Sequence, residues 1–114
     1  MQVESVHGAH GVLSIRCSGT VGIGFASTAS LRPLGAVISG WMRVQEEEAV
    51  REIVVDFTNV DYRWGDAPVA CFLPFVRRGV ERVRFRAGPR SAKALRSLLA
   101  VSNLPWFALE QAEA

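Results

Sequence analysis

The residues best equipped for chemistry near the start of the sequence are two histidines and a cysteine. His7 and His10 stand three residues apart, and Cys17 follows them. Imidazole and thiolate groups are common zinc ligands, but a zinc site needs three or four ligands at a recognised spacing. No further ligand stands at such a spacing, so we expect no metal to bind.

A catalytic centre is not indicated by the remaining nucleophiles or glycines. A Cys–His pair would need an exposed and activated thiol, whereas Cys17 and Cys71 both lie among apolar residues. Gly19-x-x-Gly22-x-Gly24 precedes a predicted helix, but its glycine order reverses the dinucleotide-binding pattern and it lacks the P-loop lysine. No pair of carboxylates stands with a base. We therefore predict a protein that is not an enzyme, with no catalytic residues and no cofactor.

A surface for binding another protein is indicated by six consecutive residues after the most apolar strand. They are Asp61, Tyr62, Arg63, Trp64, Gly65 and Asp66. Aromatic and arginine side chains contribute most of the binding energy in protein interfaces. We therefore predict that this segment forms a compact recognition patch. A tryptophan folded back over the core explains Trp64 equally well.

An alternation of strands and helices must position these residues. The apolar periodicity predicts strands over residues 2–6, 11–19, 51–57 and 80–87, and helices over residues 30–48, 66–78 and 91–101. Residues 7–10 are the predicted turn of a hairpin, and Ser91 is the predicted cap of the last helix. Pro74 should kink or split the middle helix. Residues after Asn103 should form a short terminal strand or helix.

The order of these elements predicts parallel strands joined by right-handed crossovers. Each helix has one apolar stripe, and two inner strands have a polar side. We predict an α/β domain with a mixed, mostly parallel sheet of four or five strands and three helices packed mainly on one face. The other face should carry Ser14, Arg16, Glu52, Asp56, Arg82, Arg84 and Arg86. Glu52 and Asp56 could pair with the arginines there.

Length and composition set the class of protein. The chain has 114 residues, of which 49% are hydrophobic and 21% charged, and this is ordinary for one globular domain covering residues 1–114. The start of the sequence lacks the pattern of a signal peptide, and no run of about 20 apolar residues is present. Two cysteines far apart do not indicate a disulfide framework. These features predict a cytoplasmic protein that does not insert into a membrane.

The net charge of +2 hides a basic segment. Residues 77–96 contain eight basic side chains and one acidic side chain. Such a segment could bind nucleic acid or a nucleotide. Solvated helix ends and a polar sheet face explain it better, so nucleic acid remains the lesser alternative.

The succession of Val12–Gly19, Glu52–Val60 and Val83–Ala87 resembles the STAS domain, which is typified by bacterial anti-sigma factor antagonists and also found in sulfate transporters. Val54-Val-Asp-Phe-Thr58 is similar to the family's apolar strand, and Leu95–Leu104 is similar to its last helix. The resemblance implies a regulatory module that binds a kinase-like anti-sigma factor. An accessory subunit of a membrane transport complex is the alternative within the family, and a homodimer stays open.

The family's phosphoacceptor serine, at the start of the second helix, has no counterpart here. Trp64-Gly65-Asp66-Ala67 occupies that position without a hydroxyl group. Asp66 supplies one negative charge where phosphoserine would supply about two, so it could hold the domain in a state like the phosphorylated one. A simple helix N-cap is the better explanation of Asp66.

Overall fold

Strands and helices alternate along the chain, as the apolar periodicity predicts. The computed structural model describes residues 1–22, 29–44, 49–63, 65 and 67–112. Within these residues the strands are β1 (Gln2–Ala9), β2 (Val12–Thr20), β3 (Glu52–Asp61), β4 (Arg82–Ala87) and β5 (Phe107–Gln111). The helices of more than ten residues in the same part of the chain are α1 (Arg32–Val44), α2 (Ala67–Arg77) and α3 (Pro89–Ser102). The predicted helical residues 45–48 lie outside the described residues.

The five strands form one sheet in the order β1-β2-β3-β4-β5. β1 is antiparallel to β2, and the other neighbours are parallel. Each parallel connection moves one strand further in the same direction, and such crossovers are almost always right-handed, so the helices arrive on one face. The α/β architecture with a mixed sheet and helices on one face is therefore confirmed.

The core lies between that sheet face and the helices. Alternate residues of the three inner strands are at most 2% exposed, among them Ile15, Val55 and Phe85. The Phe85 ring lies 5.0 Å from that of Phe57, 5.4 Å from that of Phe72 and 4.8 Å from that of Phe107. Three strands and α2 thus meet at one aromatic cluster, in which each ring pair adds about 0.5–1.5 kcal/mol beyond its buried area.

The opposite sheet face is polar, as predicted. In the register of β3 and β4, Glu52 lies beside Arg82 and Asp56 beside Arg86. The ion pair that forms is diagonal: Nη2 of Arg84 donates to Oε1 of Glu52 at 2.6 Å. The Asp56 carboxylate accepts a hydrogen bond from the backbone N–H of Thr58 at 2.8 Å. The expected pairing with arginine is thus found for Glu52.

The hairpin turn lies later than predicted. β1 continues through His7 to Ala9, and the turn consists of His10 and Gly11, with φ angles of 54° and 77°. Two consecutive positive φ angles belong to a type I′ turn, whose twist matches that of the flanking strands. The prediction of a turn over residues 7–10 is wrong because Gly8 is a strand residue covered by the ring of Trp41.

The starts and interiors of the later helices also differ from expectation. Gly88 is the N-cap of α3 and Pro89 opens its first turn, so the prediction that Ser91 caps this helix is wrong. α2 runs unbroken past Pro74. At the end of α3, Asn103 adopts the left-handed conformation with φ 46°, and its N–H donates to the carbonyl of Leu99 at 3.0 Å.

Candidate functional site

The predicted recognition patch begins where β3 ends. Asp61 is the last residue of that strand, and its carbonyl accepts a hydrogen bond from the N–H of Val21 at 2.9 Å. The chain then leaves the sheet beyond the carboxyl ends of the parallel strands. Arg63 and Gly65 therefore follow at that edge of the sheet. The consecutive strand order has no point of reversal, where the ligand crevice of open α/β sheets forms.

Tyr62 is not part of an exposed patch. Its side chain is 1% exposed, and its hydroxyl group donates to the carbonyl of Gly65. Gly65 has a φ of 141°, a conformation that residues with a side chain rarely adopt. The prediction that Tyr62 contacts a partner is therefore corrected, because its ring belongs to the core and its hydroxyl group supports the loop.

Ser91 joins this loop to α3. Its Oγ donates to the carbonyl of Val60 at 2.7 Å and accepts from the N–H of Tyr62 at 3.1 Å. The hydroxyl group is buried, at 3% exposure for the residue. Buried polar groups of a loop need such partners, so Ser91 sets the distance between the end of β3 and the start of α3. Its sequence position after Gly88-Pro89 suggests only a helix start and contains no signal for this role.

Arg63 is the exposed member of the patch. Its side chain is 58% exposed, and its Nε lies 3.4 Å from Oδ1 of Asp61. Such an exposed pair contributes at most about 1 kcal/mol, so Asp61 orients the guanidinium group without holding it firmly. Trp64 and Asp66, the other two side chains predicted for this surface, lie outside the described residues.

A cavity of about 370 Å³ lies between Arg63 and one face of α3. The residues that line it are Arg63, Arg90, Lys93, Ala94 and Ser97. The four helical residues follow the spacing that brings side chains to one face of a helix. The cavity thus combines a residue after β3 with residues after β4. The sequence suggested both groups, as a patch and as a basic segment, but did not suggest their proximity.

Within the part of the chain that the structure describes, the lining of this cavity is basic and includes no acidic residue. The first turn of α3 has no acidic side chain, and Gly88 provides no side-chain cap. Arg90 and Lys93 therefore add to the positive end of the helix dipole. The arrangement can attract and hold an anionic group.

The basic segment 77–96 does not form one surface. Arg82, Arg84 and Arg86 alternate along β4 with the buried residues Val83, Phe85 and Ala87, so they lie on the open sheet face. Arg90, Lys93 and Arg96 belong to α3, which packs on the other face. A single nucleic-acid strand following this segment would therefore have to cross the edge of the sheet.

Cys17 lies in the core, and the partly buried Cys71 packs against it, so neither cysteine is at this site. Burial raises the pKa of the Cys17 thiol to about 12, with a further rise from the negative charge of Asp56. Burial likewise raises the pKa of Cys71 to about 12. Both thiols are uncharged at neutral pH, and a thiol without charge is a poor nucleophile and a poor metal ligand.

Metal ligands are not gathered in the part of the chain that the structure describes. There, no group of three or more His, Cys, Asp or Glu side chains could hold a metal ion. The two histidines are separated by the end of β1, with His7 in the strand and His10 in the turn.

Comparison with known proteins gives no information on the function of this chain. No protein-family model, no curated protein and no solved structure matches this chain. Across the described residues, the helices are all too short or too polar to cross a membrane.

Proposed function

We propose that this protein is a non-catalytic regulatory module that binds another protein through a docking surface made of the loop 61–66, apart from the buried Tyr62, and the basic face of α3. The observation that carries the proposal is the exposed Arg63 beyond the carboxyl end of β3, beside a cavity lined by Arg90 and Lys93. Arginine anchors at the centre of an interface contribute strongly to binding.

The resemblance to STAS domains supports a regulatory role of the anti-sigma factor antagonist type. In this proposal the partner is a kinase-like anti-sigma factor, and the interaction takes place in the cytoplasm. Asp66 stands where the family has its phosphoacceptor serine, so binding would not depend on phosphorylation of this chain at that position. An accessory role in a membrane transport complex is the alternative within the same family.

Affinity capture from the native cytoplasm tests the proposal. The baits are the wild-type chain, the Arg63→Ala/Trp64→Ala variant and the Arg82→Ala/Arg86→Ala variant, which removes two exposed charges from the open sheet face. A protein held by the wild type and the open-face variant, but lost from the loop variant, supports the docking surface. A partner that the loop variant retains fully would contradict it.

Trp64 provides a second measurement with the purified partner. We expect Trp64→Ala to weaken binding by about 2 kcal/mol or more if this side chain anchors the interface. A change of a few tenths would remove Trp64 from the docking surface. The matched variant Trp64→Phe, which keeps an aromatic ring, should recover part of the loss.

Nucleic acid is the alternative from another class, and the arginines of β4 separate it from protein binding at α3. Affinity for nucleic acid should fall steeply as salt is added, and neutralising Arg82, Arg84 and Arg86 should reduce that slope. Capture of one protein at constant stoichiometry, unchanged when these three arginines are neutralised, would exclude it.

A further inference from the structure

The cavity beside Arg63 has the charge and the size of a site for an anionic group larger than a simple ion. We propose that it binds the phosphate group of a phosphorylated residue in the docking partner. This inference rests on the proposed function and adds the chemistry that the partner must present.

Charge is the first reason. Arg63, Arg90 and Lys93 bring three positive charges to the cavity from two parts of the fold, and none of the described residues that line it is acidic. Arg63 directs Nε toward Asp61 at 3.4 Å, and 58% of its side-chain surface is open to solvent. Guanidinium groups bind phosphate oxygens in pairs, and ammonium groups add a mobile point charge.

The number of cations favours a phosphate over a carboxylate. A phosphorylated side chain carries about −1.5 to −2 charges at neutral pH and three acceptor oxygens. Asp61 already lies beside Arg63, so one carboxylate would still leave one of the three cations without a counter-charge. The Ser97 hydroxyl group, which donates to the carbonyl of Lys93 at 3.2 Å, is a further polar group in the same lining.

The lining favours a group attached to a protein over a free small molecule. Small-molecule sites bury most of the ligand against apolar and aromatic side chains, and among the residues that the structure describes Ala94 is the single apolar residue in this lining. A volume of about 370 Å³ is at the small end of the range of about 300–1,000 Å³ for ligand pockets. The remaining affinity must therefore come from contacts outside the cavity, and Arg63 in the lining connects it to the proposed docking loop.

A titration of the ¹⁵N-labelled full chain tests this inference. The probes are a short peptide with one phosphoserine between glycines, the same peptide with serine, and inorganic phosphate. We expect saturable amide shifts at Arg90, Lys93 and Ser97 with the phosphopeptide, no saturable shifts with the serine peptide, and binding of inorganic phosphate at least tenfold weaker. Phosphate binding as tight as that of the phosphopeptide would overturn the assignment to a protein segment.

Two charge-neutralising variants locate the site. Arg90→Gln/Lys93→Gln should weaken binding of the phosphopeptide at least tenfold, the size expected when charge-assisted hydrogen bonds are lost. Arg82→Gln/Arg86→Gln removes the same charge from the open sheet face and should change the affinity less than twofold. Equal weakening by both variants would show that only the net charge matters and would overturn the site.

The pH dependence identifies the anion. The second pKa of a phosphate monoester is about 6, so affinity for the phosphopeptide should rise between pH 5 and pH 7.5. A glutamate peptide of the same length should show no such rise and should bind at least tenfold more weakly at pH 7.5. Equal binding of the glutamate peptide would contradict a phosphate site.

The two proposals fail separately. If the phosphopeptide does not bind but the Arg63→Ala/Trp64→Ala bait loses a partner that the wild type retains, the docking surface stands and the phosphate assignment is wrong. If the phosphopeptide binds as expected but no protein depends on the loop, the cavity binds phosphate without the proposed docking role.

Discussion

At the scale of single residues, the hydroxyl groups of Ser91 and Tyr62 hold the backbone of the candidate site in place. Ser91 bonds to the carbonyl of Val60 and to the N–H of Tyr62, and the Tyr62 hydroxyl group bonds to Gly65. These contacts lie under the surface that Arg63 presents to solvent. The exposed part of the site therefore depends on residues that no partner can contact.

Removing the hydroxyl group of Ser91 should destabilise the protein. Ser91→Ala takes away two buried hydrogen bonds, and leaving buried backbone groups without partners costs about 1–3 kcal/mol. Denaturant unfolding measures this loss. Ser97→Ala is the matched control because that hydroxyl group is exposed and bonds only within its own helix at 3.2 Å; its effect should be within about 0.5 kcal/mol. Equal effects of both variants would contradict the bridging role of Ser91.

Gly8 provides a second test at this scale. A Cβ atom at this position would lie 2.8 Å from Cε2 of the Trp41 ring, so Gly8→Ala must displace the ring from the strand. We expect a loss of about 1–3 kcal/mol, as for other overpacked sites. Gly40→Ala meets no atom within 4 Å and should raise stability by about 0.5–1 kcal/mol, because alanine favours a helix. A neutral Gly8→Ala would show that Trp41 is not packed there.

At the scale of elements, the ends of strands and helices determine where the site lies. β3 extends four residues beyond its predicted end, from Phe57 to Asp61, and carries the loop to the edge of the sheet. α3 begins two residues before its predicted start, at Pro89. Both shifts place Arg63 opposite the basic face of α3.

The residue that ends α3, Asn103, provides a test of how this helix is capped. Asn103 has a φ of 46°, a conformation that costs about 1–2 kcal/mol for residues with an ordinary side chain and little for glycine. Asn103→Gly should therefore leave the melting temperature unchanged or raise it, and Asn103→Ala should lower the unfolding free energy by about 1 kcal/mol. Thermal unfolding of the three proteins measures the order, and a more stable alanine variant would contradict this cap.

At the scale of the whole molecule, one face of the sheet is covered and the other is open. The consecutive strand order sends all the described crossovers to the same face, where the side chains of Cys17 and Phe57 are fully buried. The open face is held by polar contacts such as that between Arg84 and Glu52. The stability of the fold therefore depends mainly on the covered face.

The two buried thiols should make the stability of the fold fall at alkaline pH. An unfolded cysteine ionises near pH 8.5, whereas the folded pKa values of Cys17 and Cys71 are about 12. Between these limits the unfolded state binds fewer protons, so stability present below pH 8.5 should be lost as the pH rises, by about 1 kcal/mol per pH unit for each thiol. Unfolding free energies at pH 8, 9 and 10 measure this loss.

A cysteine-free variant isolates the contribution of the thiols. Cys17→Val/Cys71→Val should show a shallower fall of stability between pH 8 and pH 10 than the wild type, whatever its stability at pH 7. Parallel curves would contradict the burial of the thiols. A thiol reagent gives an independent reading: it should react slowly with the native wild type and rapidly after unfolding.

The sequence by itself determined the class of the fold and the face on which each strand residue lies. Alternation along Val12–Thr20 and Arg82–Ala87 is a local property, because neighbouring side chains of a strand point to opposite sides. The predicted polar face, with Arg84 close to Glu52, follows from that alternation. Tyr62 and Arg63 follow a strand, as predicted, although that strand ends at Asp61 and not at Phe57.

Only the tertiary structure decided what surrounds these two residues. Residues about thirty positions apart in the sequence meet there. Ser91 bonds to the backbone of Val60 and of the buried Tyr62, and Arg63 lines a cavity together with α3. Local periodicity contains no information on such distances, because they depend on the register of β3 against β4 and on where each crossover returns to the sheet. The same limit explains the hairpin: whether residues 7–10 turn or extend is decided by pairing with β2 and by the Trp41 ring over Gly8.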